Sequence, residues 1–182
     1  MIYLFSHTGQ EIDGVYQSHP IRIILADPLY GRLWALNPMD NNLYSYAIPN
    51  NKSEIRKCLQ EEEILFDFSD EQFEPNVMFQ SKESIGLIDS EHDVYRLYKK
   101  DDRFRLITTY ENSQETNWKL MDGVVFKDNR SLLKLIEDKS SNDRFEKSTS
   151  RRCLIELTAN GEEKHRIQAD TLYSMTLGSS FH

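Results

Sequence analysis

Three runs near the C-terminus decide the fold reading: Asn142-Asp143-Arg144-Phe145-Glu146, then Ser150-Arg151-Arg152-Cys153-Leu154-Ile155-Glu156-Leu157, then Lys164-His165-Arg166-Ile167-Gln168-Ala169-Asp170-Thr171-Leu172-Tyr173. They read as two short helices joined by a turn, the second with a small, hydroxyl-bearing and aromatic face. That is the outline of a helix-turn-helix, which places its second helix in the major groove of DNA. On this reading the second helix runs from Gln168 to Leu177. Gln168, Asp170 and Thr171 are then the candidates for base-edge contact, since Gln can pair with adenine and Thr can touch polar edges or a thymine methyl. Lys164 and Arg166, just ahead of that helix, meet phosphates, and Arg151 and Arg152 do the same from the preceding helix. Ile167 and Leu172 lock the two helices together, and Tyr173 is either core or a phosphate donor. The plainer alternative is a helical hairpin packed on the domain, with these charges solvated.

Working upstream, residues 129–139 also read as a helix. Leu132, Leu133, Leu135 and Ile136 form its apolar stripe, with Arg130, Lys134, Glu137 and Asp138 opposite. Trp118 to Phe126 suits a short buried helix or strand. Residues 67–92 are polar and punctuated, and read as a connector. Tyr95–Tyr98 and Phe104–Thr109 flank Lys99-Lys100-Asp101-Asp102 in a hairpin pattern, although a helix is also compatible with runs this short. The first 48 residues are β-rich, with runs at Met1–Phe5, Val15–Tyr16, Ile21–Leu25, Arg32–Leu36 and Leu43–Ile48. Turn signals separate them: Asp13-Gly14, Asp27-Pro28 with Tyr30-Gly31, and Asp40-Asn41-Asn42. Trp34 is a core anchor on this reading. Ser53 opens a short helix carrying Ile55, Cys58 and Leu59 on one face, and Ile64-Leu65-Phe66 follows as a closing strand.

The expected fold class is therefore α+β. A small β-rich, barrel-like unit with one helix occupies residues 1–68. A connector with a possible hairpin spans 69–117, and a helical helix-turn-helix unit spans 118–182. No internal repeat is visible.

A chain of 182 residues with 38% hydrophobic and 11% aromatic residues can bury a core. No apolar run approaches the length of a membrane span, so no membrane partner is expected. Cys58 and Cys153 read as separate thiols of a reducing cytoplasm. The net charge is −8, and it is unevenly placed. Residues 1–117 hold 20 Asp and Glu against 11 Lys and Arg, whereas residues 118–182 hold 10 against 11. A general nucleic-acid binder is disfavoured, because phosphate contacts need a basic surface. The nearly neutral C-terminal part permits DNA binding without demanding it. Between Ser53 and Glu74 eight acidic residues face two basic ones, which is usually a solvated face.

The order Leu135-Ile136, Asp143-Arg144-Phe145, an arginine-bearing helix, then His165, Ile167 and Thr171-Leu172-Tyr173 resembles the N-terminal, non-catalytic region of TnsB-like transposases, relatives of the phage Mu transposase. His19-Pro20-Ile21-Arg22-Ile23-Ile24 and Leu33-Trp34-Ala35-Leu36 are similar to that family's opening β unit, and Glu63-Ile64-Leu65 to its closing strand. The resemblance covers both ends, with residues 68–117 unmatched. It implies sequence-specific binding of double-stranded DNA at the ends of a mobile element, with transposition-complex proteins as possible partners. It implies no strand-transfer chemistry, because the metal-binding carboxylate domain has no room here.

No other chemistry stands out. The histidines, His7, His19, His92, His165 and His182, lack ligand spacing, so neither a metal nor a cofactor is expected. No nucleophile elbow and no phosphate loop appears. The alternative function is an acidic interaction module, such as an immunity protein or a phage-encoded inhibitor, docking on a basic partner. A contiguous acidic face over residues 53–74, with no basic counterpart near Arg166, would favour it.

Overall fold

The computed structural model describes residues 2–5, 11–15, 23–27, 29–37, 39–48, 54–61, 63–69, 72–101, 104–112, 117–137 and 151–169. A hairpin of β1 (Ile2–Phe5) and β2 (Glu11–Val15) precedes three four-stranded antiparallel sheets. The first sheet is β3 (Ile23–Asp27), β4 (Arg32–Asn37), β5 (Asn42–Ala47) and β6 (Glu63–Asp67). The second is β7 (Val77–Gln80), β8 (Ser84–Asp89), β9 (Val94–Lys99) and β10 (Arg105–Glu111). The third is β11 (Trp118–Val125), β12 (Ser131–Glu137), β13 (Arg152–Leu157) and β14 (Glu163–Ala169). Each sheet is a meander of consecutive strands. Among the described residues the one helix is α1 (Ile55–Gln60), which links β5 to β6.

This corrects the α+β expectation. The first unit is an open sheet with β3 and β6 at its edges, not a barrel. The middle segment is a complete sheet rather than a connector. The C-terminal unit holds no helix among the described residues, so the helix-turn-helix is overturned. Residues 152–169 fold as a β-hairpin, with Cys153 opposite Gln168, Leu154 opposite Ile167 and Ile155 opposite Arg166. The physical reason is a period of two. Cys153, Ile155 and Leu157 are fully buried and alternate with half-buried Arg152, Leu154 and Glu156. The same alternation governs β12, where Leu133 and Leu135 face inward and Leu132, Lys134 and Ile136 face out. Apolar residues on both faces of β12 imitate a helical stripe.

The second sheet lies between the other two. Ile85, Leu87 and Tyr98 face the first sheet, where they join Trp34, Leu36, Leu43, Phe68 and Phe73. Ile88, Tyr95 and Leu97 face the third, against Leu120, Leu133, Leu135, Cys153 and Ile155. β8 is consequently buried along its whole length, as a strand covered on both faces must be. Burying each such Leu, Ile or Phe contributes about 1.5–3 kcal/mol relative to exposure. Phe79 stands opposite Gly86 in the ladder and stacks on Tyr95, with ring centroids 5.8 Å apart and planes within 8°. A Cβ on Gly86 would sit 2.4 Å from the Phe79 ring and one on Gly123 would sit 2.6 Å from it. Neither position has room for a side chain while the ring stays in place.

Six strand-to-strand turns share one device. The residue late in each turn takes positive φ: Gly31 (59°), Asn41 (59°), Asp93 (56°), Phe104 (47°), Asn129 (64°) and Gly161 (80°). Asx and Gly tolerate that region best. In the last two, paired backbone bonds close the loop: Phe126 N–H to Arg130 O and Asn129 N–H to Phe126 O, then Thr158 N–H to Glu162 O and Gly161 N–H to Thr158 O. This is a type I turn followed by a left-handed residue, a common hairpin connection. In the β8–β9 turn the buried Asp89 carboxylate accepts from the backbone of Glu74, Glu91 and His92 and from the His92 ring.

Candidate functional site

The junction of the first two sheets buries an ion pair, Asp27 with Lys100. Asp27 ends β3, and Lys100 follows β9 directly. Lys100 donates to Asp27, to Gln80 Oε1 at 2.9 Å and to the Ser81 carbonyl at 2.8 Å. Trp34 Nε1–H donates to the same Asp27 oxygen as Lys100 does, Oδ2, at 3.1 Å. Gln80 Nε2–H closes the seam by donating to Ala26 O at 2.6 Å. Burial pushes the Asp27 carboxyl up, but the hydrogen bonds from Lys100 and Trp34 and the Lys100 charge together hold it below the ordinary range. Burial lowers the Lys100 ammonium, with Asp27 opposing that shift.

Above this network opens a cleft of about 450 Å³ lined by Tyr30, Arg32, Trp34, Glu63, Leu65, Lys100 and Asp101. The sequence places these groups by strand alternation. Arg32 and Trp34 share one face of β4, and Ser45 lies opposite Trp34 with Glu63 opposite Ser45. Arg32 Nη1 donates to Ser45 Oγ at 2.7 Å and to Glu63 Oε2 at 3.1 Å. Arg105 Nε donates to Asp101 Oδ2 at 2.7 Å.

Next to the cleft runs an acidic edge. Glu54, Glu61, Glu63 and Asp67 are all exposed along α1 and β6, and Glu74 lies exposed beyond them. Their described cationic neighbours are Lys57, 3.7 Å from Glu61, and Arg32. Glu54 and Asp67 have no cationic partner among the described residues, whereas the Glu74 charge favours protonated His92. Hydrogen bonds from the Ser69 hydroxyl and backbone lower the Asp67 carboxyl, so it carries its charge to more acidic pH than an isolated aspartate. β6 is also interrupted: Leu43 pairs with Phe66 and Tyr44 with Ile64, which leaves Leu65 as a bulge.

The residues read as DNA contacts do not converge. Arg151 precedes β13, and its carbonyl accepts from Glu137 N–H. Arg152 stands opposite Ile136 and Ala169 on the outer face. Lys164 lies 3.8 Å from Glu156. Arg166 is on the opposite face, half-buried, with Nε and Nη2 donating to Glu163 at 2.8 and 2.9 Å and Nη2 to Tyr110 Oη at 3.4 Å. Glu163 holds the Arg166 guanidinium more firmly protonated and is itself lowered. Burial, with Glu163 adding, pushes the Tyr110 hydroxyl up to about 12. Gln168 is exposed on β14. Asp170, Thr171 and Tyr173 lie outside the described residues. With the helix-turn-helix overturned, the DNA-binding and transposase-like assignment loses the element on which it was built.

Sequence reasoning passed over Asp27, Lys100 and Arg32. Asp27 was read only as turn punctuation and Lys100 only as part of a charged turn, because no local pattern announces a pair 73 residues apart. Among the described residues no group of three His, Cys, Asp or Glu could hold a metal ion. The two cysteines, Cys58 and Cys153, are unbridged. No helix among the described residues is long and apolar enough to cross a membrane.

No family model matches this sequence, and no curated protein matches it significantly. Among solved structures, a calcium-binding protein, regucalcin, from Agrobacterium tumefaciens is similar at 11% identity and a TM-score of 0.45, covering 80% of this chain and 44% of its own. Hsv2 from Kluyvelomyces marxianus is similar at 7% identity and a TM-score of 0.45, covering 87% of this chain and 53% of its own. The chain thus spans about half the length of these structures, and likenesses this distant assign neither family nor activity.

Proposed function

We propose that this chain is a protein-interaction module that docks a basic partner through the acidic edge of its first sheet. The observation that carries the reading is the run Glu54, Glu61, Glu63 and Asp67, exposed along α1 and the edge strand β6, with Lys57 and Arg32 as its ion-pair partners among the described residues. Arg166, the basic group whose freedom would have argued against this, is occupied by Glu163. The bulge at Leu65 bends β6 away from regular strand addition. Docking therefore runs through side chains and charge rather than through a new ladder. Such a surface speeds encounter with an oppositely charged partner and fixes its orientation.

The test is capture by the intact chain and by a variant with Glu54→Gln, Glu61→Gln, Glu63→Gln and Asp67→Asn, each at low and high salt. The proposal expects a partner with a basic surface that is retained by the native chain, released by salt, and lost by the variant. A partner retained equally by both chains would contradict it.

A further inference from the structure

We infer that the cleft between the first and second sheets is a binding site for a small organic carboxylate with an apolar body. This goes beyond the docking edge and does not depend on it. The size suits such a ligand, since small-molecule sites run from about 300 to 1,000 Å³, and this one is about 450 Å³. Tyr30, Trp34 and Leu65 supply apolar wall.

The polar inventory selects the charge of the ligand. Lys100 contributes no free donor, because Asp27, Gln80 and Ser81 take its three protons. Asp101 is held by Arg105, and Glu63 is held on one oxygen by Arg32. Arg32 differs from these. Both of its hydrogen bonds leave from Nη1, to Ser45 and to Glu63. The opposite edge of the guanidinium, Nε–H with Nη2–H, has no partner among the described residues. That edge is the planar fork that takes a carboxylate with two parallel hydrogen bonds. The Nη1 contacts fix the plane of the fork in advance, which lowers the ordering loss on binding.

Trp34 provides the readout, because it lines the cleft with its indole N–H held by Asp27. The experiment follows the Trp34 indole ¹H–¹⁵N peak, assigned with the aid of Trp118→Phe. The probes are phenylacetate, its neutral amide phenylacetamide, and the phenethylammonium cation. Phenylacetate is expected to shift the peak saturably, whereas the amide and the cation leave it in place. Arg32→Gln is expected to weaken phenylacetate by about tenfold or more, with the remaining spectrum unchanged to show that the fold persists. Arg32→Lys keeps the charge without the fork and is expected to recover only part of the binding. The inference is overturned by the absence of a saturable phenylacetate shift, by an equal response to amide or cation, or by an Arg32→Gln variant that binds as the native chain does.

Discussion

Lys100 donates to the Asp27 carboxylate across the junction of the first two sheets, and both side chains are shielded almost completely, at 1% and 3% exposure. A buried pair of this kind adds little net stability over an apolar pair of the same shape, yet breaking it leaves a charge unpaired in a poor solvent. Lys100→Met and Asp27→Asn are each expected to destabilise the chain by about 3–5 kcal/mol. The double variant is expected to fall short of the sum of the two. Urea unfolding of the four chains measures this directly, and additive losses would show that the two groups do not interact.

The same pair sets a pH dependence. The folded Asp27 carboxyl lies below its unfolded value near 3.8. Its contribution is therefore complete above the unfolded value and is lost as pH falls through the folded one. His92 acts in the opposite sense. Asp89, hydrogen-bonded to its ring at 2.7 Å, raises His92 above 6.5. That contribution is complete below 6.5 and is lost as pH rises through the raised value. An NMR titration is expected to place His92 above an unperturbed histidine, and Asp89→Asn is expected to return it toward the ordinary value. A His92 midpoint at or below 6.5 in the native chain would refute the assignment.

Phe79 lies against both Gly86 and Gly123. Gly86→Ala and Gly123→Ala force the ring out of its stack on Tyr95 and are expected to cost about 1–3 kcal/mol each, the range for overpacking a filled core. Phe79→Leu removes the obstructing ring edge. Gly86→Ala is therefore expected to be less harmful in a Phe79→Leu background, and thermal melts of the double-mutant cycle read that coupling.

Much of the first sheet was legible in the sequence. Ile23 and Leu25 alternate with Ile24 and Ala26, the Asp40-Asn41-Asn42 turn is marked by its residues, and Trp34 is the buried anchor it was read to be. In the second sheet the β9–β10 hairpin was legible from the runs flanking Lys99-Lys100-Asp101-Asp102, but β8 was not, because it is covered on both faces and shows no alternation. The third sheet misled for a different reason. Arg, Lys, Glu and Leu favour helices, and that local preference is overridden by pairing of β13 with β12 and of β14 with β13. One signal did point to the hairpin: Asn160-Gly161 between two alternating runs is among the strongest hairpin marks a sequence carries. Gly161 also packs against Thr108, where a Cβ would lie 2.2 Å from Oγ1, a constraint that no local pattern reveals. The cleft was hidden because its walls come from residues 30–34, 63–65 and 100–101.

The acidic edge is tested most directly by joining carboxylates to partner lysines with a zero-length carbodiimide and mapping the linked peptides. The account predicts links at Glu54, Glu61, Glu63 and Asp67, formed less readily as salt is raised. Links confined to Glu156, Glu162 and Glu163 of the third sheet, with the first sheet untouched, would contradict it.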